Sequence, residues 1–145
     1  MSCLIDTGVL LRVFDTKFDG YRRLRRSLRN LSNQNERFVI AAQNVAEFWN
    51  VSARPYDKNG YGLTADRVVT RVAMLERFCE VATESAQSYA IWKGLLVTYS
   101  VTGVAVHDAR LVSIMLAHGI SKILTLNERD FRRYQGIAVL VPDDL

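Results

Sequence analysis

The chain has 145 residues, 49% of them hydrophobic and 23% charged, with a formal net charge of +4 and a pI of about 9.3. That length supports a core without disulfides or structural metal, and its two cysteines, Cys3 and Cys79, form neither a disulfide framework nor a zinc spacing. No signal-like N-terminus and no run of about 18 apolar residues occurs, which excludes a membrane span on this reading and predicts a cytoplasmic protein.

In chain order, Ser2–Ile5 is a short apolar run ended by Asp6-Thr7-Gly8, and Val9–Phe14 is too continuously apolar for an exposed strand. This predicts a buried strand feeding directly into a helix. Tyr21, Leu24, Leu28 and Leu31 then give a helix an apolar face and leave Arg22, Arg23, Arg25, Arg26 and Arg29 largely off it. That cluster is either a path for phosphates or a solvated helix face. Phe38–Ala42 predicts a second strand, and Gln43-Asn44 opens a helix that Pro55 stops near Arg54. A Gly/Asn/Asp loop follows to Gly62, then a helix near 64–78 with Thr64 as N-cap and Val68, Val72, Leu75 and Cys79 inward. Both cysteines read as small buried hydrophobes. Glu80–Ala82, Lys122–Thr125 and Ile137–Val141 are further strands, and Ser85 caps a helix to about Tyr99. Asp108 begins an inward stripe with Leu111, Val112, Met115 and Leu116.

Short apolar strands alternating with amphipathic helices predict a parallel sheet covered on both faces, read here as one domain over residues 1–145. Such strands share a carboxyl-terminal edge where ligands bind. Asp6, Glu47, Asp108 and Asp130 should gather there. Each also fits a capping role: Asp6 and Asp108 at helix starts, Glu47 reaching back to Asn44, and Asp130 reaching back to Asn127 in capping boxes. Four acids on one edge would raise one another's pKa unless a cation balanced them. Oxygen ligands without a His or Cys pair select Mg²⁺ or Mn²⁺, and such a site hydrolyses phosphodiesters.

Leu4–Leu11, Asn44–Phe48, Val106–Leu111 and Leu124–Phe131 resemble, in order and over nearly the whole chain, the successive motifs of PIN domains, particularly the VapC-like toxins of bacterial toxin–antitoxin pairs. The resemblance implies a PIN-like three-layer α/β fold, a short parallel sheet flanked by helices. It implies a Mg²⁺- or Mn²⁺-dependent endoribonuclease, with Asp6, Glu47 and Asp108 as metal-binding acids and Thr125 as a supporting hydroxyl. A small cognate antitoxin and a homodimer are implied as partners. Where members often carry a fourth acid, two residues after Thr125, this chain has Asn127, which keeps an oxygen but removes a charge. Asp130 ranks ahead of Asn127 as the fourth acid.

His107 adjoins Asp108 but points about 100° away from it and reads as structural; His118 reads as surface. Trp49 and Trp92 fit base stacking or burial equally, while Phe48 and Phe131 read as core. Arg12 and Arg54 are the expected cations at the site's edge. The leading reading is RNA cleavage by metal-activated water with the arginine-rich helix steering substrate. Its alternative is an RNA-binding module with a weak or dead site, which Asn127 motivates. A nucleotide-binding or phosphatase fold lacks its Gly-rich loop.

Overall fold

The computed structural model describes all 145 residues. Five parallel strands form one sheet: β1 (Ser2–Ile5), β2 (Arg37–Ala41), β3 (Cys79–Ala82), β4 (Lys122–Leu124) and β5 (Ala138–Leu140), in the spatial order β3-β2-β1-β4-β5. Six α-helices connect them: α1 (Thr7–Arg12), α2 (Tyr21–Asn33), α3 (Ala42–Ala53), α4 (Ala65–Phe78), α5 (Ala86–Thr98) and α6 (Ala105–Ala117). No helix is long and apolar enough to cross a membrane.

The strands are apolar on both faces because both faces are covered. Along β1, Cys3 and Ile5 enter a core with Val9 of α1, Leu24 of α2, Phe48 of α3 and Val68 of α4. Leu4, between them, enters the opposite core with Ala109, Val112 and Met115 of α6 and with Phe131. The period-2 alternation of a strand thus divides one run of four residues between two layers. Ile40 and Val39 of β2, and Leu124 and Ile123 of β4, divide the same way. The outcome is the three-layer α/β arrangement expected.

Most boundaries fall where local chemistry places them. Thr64 and Ser85 cap α4 and α5 through side-chain bonds to the N–H groups of Arg67 and Ser88. Ala42, expected as strand, is the first residue of α3 because Asn44 closes that helix start, its side chain accepting from the Ala41 N–H. Cys79, expected on the inner stripe of α4, is instead the first residue of β3 and only half-buried, while Cys3 is fully buried. Burial pushes both thiols up, to about 12 at Cys3 and about 11 at Cys79, which keeps them unreactive.

Phe48 is fully buried, its ring 5.9 Å from that of Phe14 and one residue beyond Glu47. Phe48→Ala should cost about 3–5 kcal/mol of stability, read from the urea midpoint, because the cavity cannot collapse between α3 and the sheet.

Candidate active site

Register places the site. Ile5 pairs with Leu124, so the residues that follow, Asp6 and Thr125, emerge side by side at the carboxyl-terminal edge of adjacent strands. Here the strand order turns: β2 lies to one side of β1 and β4 to the other. Such a switch point is where open parallel sheets bind ligands. The buried Thr125 hydroxyl donates to Asp6 Oδ2 at 2.6 Å and accepts the Asn127 N–H at 3.0 Å. Asp6 Oδ1 accepts the Thr7 N–H at 2.9 Å, so it caps α1 and serves the edge at once.

Glu47 is not the capping-box acid expected. The N-cap of α3 is Ala41, whose methyl caps nothing, and the Ala41 N–H goes to Asn44 Oδ1, which frees the Glu47 carboxylate to reach across to α1. There Thr7 Oγ1 donates to Glu47 Oε2 at 2.8 Å while accepting from Asn44 Nδ2 at 3.1 Å. Gln43 Nε2 donates to the other oxygen, Oε1, at 2.9 Å. Asp108 caps nothing either. The N-cap of α6 is Val104, and Asp108 lies in the first turn without a hydrogen-bond donor on its carboxylate. Of its predicted stripe, Leu111, Val112 and Met115 are buried and Leu116 is half-buried.

The four acids feel one another's charge. Burial pushes the Asp108 carboxyl up to about 7, and the charges of Asp130, Asp6 and Glu47 add to the rise, opposed by Arg133. Burial also raises Asp6, with Glu47 and Asp130 reinforcing it against the hydrogen bonds from Thr125 and Thr7. Six other carboxylates are paired with Arg or Lys, among them Asp15 with Arg12, Glu84 with Arg110 and Glu36 with Lys122. None of Asp6, Glu47, Asp108 and Asp130 has such a partner. Hard carboxylate oxygens without a balancing cation suit Mg²⁺ or Mn²⁺. No group of three or more His, Cys, Asp or Glu side chains encloses an ion by itself; an ion here would take its remaining ligands from water and substrate, as Mg²⁺ commonly does.

Asp130 ends a short 3-10 turn (Glu128–Asp130) and is exposed. Asn127 precedes the turn with an exposed side chain that caps nothing, so the second expected capping box does not form, and its link to the site is its backbone N–H on Thr125.

Both cations expected at the site's edge are engaged elsewhere. Arg12 pairs with Asp15 at 2.9 Å and donates to Tyr61 Oη at 2.8 Å, over the Phe18 ring. Arg54 donates to the Asn59 carbonyl in the loop where Gly60 packs on its own backbone; a Cβ at Gly60 would come within 1.9 Å of the Arg54 carbonyl oxygen. Arg133, exposed in the turn beyond Phe131, is the cation that acts on Asp108. His107 is exposed and engages through its backbone carbonyl, and His118 is exposed with its ring on the Thr83 carbonyl. Trp92 is half-buried, its Nε1–H on the Val106 carbonyl at 2.9 Å; Trp49 is half-buried against the α1–α4 core. Thr7 and Gln43 were missed from sequence. The signal for Gln43 was its place one helical turn before Glu47.

The family model described as PIN domain matches residues 3–137. Against curated protein sequences the chain finds no match. Among solved structures it is similar to VapBC2 from Rickettsia felis bound to a DNA fragment from its promoter, with TM-score 0.71 and 18% identity over 97% of this chain and 98% of that one. A toxin–antitoxin complex from Klebsiella pneumoniae gives TM-score 0.65 and 20% identity, covering 97% of each chain. Mycobacterium tuberculosis VapC20, a sarcin-ricin loop cleaving toxin, gives 0.61 and 15%, covering 83% of this chain and 86% of that one. At these identities the likeness speaks to the fold alone.

The Asp108 shift has a thermodynamic sign. Its folded-state pKa of about 7 exceeds the ordinary 3.8. Between the two values the native state holds a proton that the unfolded chain has released, so stability present below about pH 4 is lost as pH rises through about 7. In chelator, Asp108→Asn should therefore gain in Tm relative to the unsubstituted protein as pH increases across that window, which thermal melts at stepped pH will read.

Proposed function

The chain belongs to the PIN-domain family, and on that premise we propose that it is a Mg²⁺- or Mn²⁺-dependent endoribonuclease, the toxin of a toxin–antitoxin pair. The observation that carries the reading is the set of four acids that act on one another at the sheet's switch point, none of them paired with an Arg or Lys. Asp6, Glu47 and Asp108 are the acids that would hold the ion, directly or through its waters, with Asp130 as the fourth acid ahead of Asn127. When bound, the ion supplies positive charge to the scissile phosphate and lowers the pKa of a water. Thr125 and Thr7 hold the carboxylates of Asp6 and Glu47 in place through hydrogen bonds that the two acids accept. Arg133, whose guanidinium reaches the Tyr99 carbonyl, adds positive charge that opposes the Asp108 rise, and the exposed arginines of α2, Arg22, Arg25, Arg26 and Arg29, attract the RNA backbone.

The solved complexes of similar fold support a small antitoxin as partner. So does an apolar groove of about 510 Å³ between α2 and α4, lined by Tyr21, Leu28, Phe38, Met74 and Phe78 and edged by Arg25 and Arg29. A homodimer is supported by exposed apolar side chains at Tyr89, Val97 and Val104 on and after α5. The proposal takes residues 1–145 as one PIN-like domain.

Incubation with structured RNAs and Mn²⁺ should give cleavage that chelator abolishes. Asp6→Asn, Glu47→Gln and Asp108→Asn should each slow it by about a hundredfold or more. RNA binding without cleavage under any ion would overturn the enzyme reading in favour of a binding module. The product of a small neighbouring reading frame should co-purify with the chain and suppress cleavage. Met74→Asp should break that association while leaving cleavage by the free chain intact.

A further inference from the structure

Gln43, in the first turn of α3, joins two parts of the proposed site. Its Nε2 donates to Glu47 Oε1 at 2.9 Å and to the backbone carbonyl of His107 at 2.8 Å. The first bond is local, since the two residues are one helical turn apart. The second crosses to α6, at the residue before Asp108, and ties the two acid-bearing helices together. Both partners only accept, so both N–H groups of the amide must face them, and chemistry settles which way the amide points. The consequence falls on Oε1. It is buried and has no donor.

An oxygen so enclosed leaves no room for a water beside it, so the amide acts on the site through its two N–H groups. The link also adds no charge to an edge that already holds four carboxylates.

We propose that Gln43 is a positioning residue of the metal site: its amide N–H groups, on Glu47 Oε1 and on the His107 carbonyl, set the Glu47 carboxylate against α6. This rests on the metal-dependent reading above. A purely structural tie between α3 and α6 predicts something else, a loss of stability with ion affinity unchanged.

The test is a Mn²⁺ titration followed by the electron paramagnetic resonance signal of the free ion, beside thermal melts in chelator. Gln43→Met, unbranched and of similar length, should weaken Mn²⁺ binding about tenfold, the scale for residues that orient metal ligands. Its melting in chelator should stay within a few degrees of the unsubstituted protein. Gln43→Asn, which keeps the amide but shortens its reach, should weaken Mn²⁺ likewise and serves if the methionine variant does not fold. If Glu47→Gln weakens Mn²⁺ and the Gln43 variants do not, the inference about Gln43 is overturned and the metal reading stands. Should Glu47→Gln also leave Mn²⁺ binding unchanged, both fall together.

Discussion

The parallel pairing of β1 with β4, Ile5 opposite Leu124, is the contact on which the rest of the site depends. Parallel strands end on one edge, so this register delivers Asp6 and Thr125 to the same place from positions 119 residues apart. The chain order also turns at this seam, and the helices on the two sides pack against opposite faces of the sheet. Glu47 therefore arrives from α3 on one face and Asp108 from α6 on the other.

Gathering carboxylates this way is electrostatically costly, and the protein distributes the cost unevenly. Asp6 and Glu47 each accept two hydrogen bonds, and at Asp6 those bonds oppose the rise that burial imposes. Asp108 accepts none and carries the largest rise, to about 7. Two of the acids are thus held as acceptors by the fold itself, so that a divalent ion would not have to order them, which reduces the cost of binding it. The third supplies the charge most in need of a counter-ion.

Capping and ligation could not be told apart in the letters because both ask for a short acidic or amide side chain at a helix start. The structure separates them residue by residue. Asp6 does both, Asn44 takes the Ala41 N–H and leaves Glu47 free, and Val104, not Asp108, stands at the cap position of α6. The arginines misled for a different reason. Arg54 stands seven residues after Glu47, two helical turns on, yet it turns to the Asn59 carbonyl, and Arg12 is held by Asp15 and Tyr61. Long cationic side chains go to whichever acceptor the tertiary fold brings near, and their own spacing does not record it.

The amino-acid sequence by itself determined the elements, through periodicities that near neighbours impose: apolar runs too short for helices, stripes such as Val68, Val72 and Leu75, and caps at Thr64 and Ser85. It also determined which acids stand at element ends, and with them the family likeness. Only the tertiary structure decided who serves those acids. Thr7 reaches Glu47 over 40 residues and Gln43 reaches the His107 carbonyl over 64. Such bonds depend on strand order and on which face each helix covers, and these are set by packing between distant segments that no local pattern encodes.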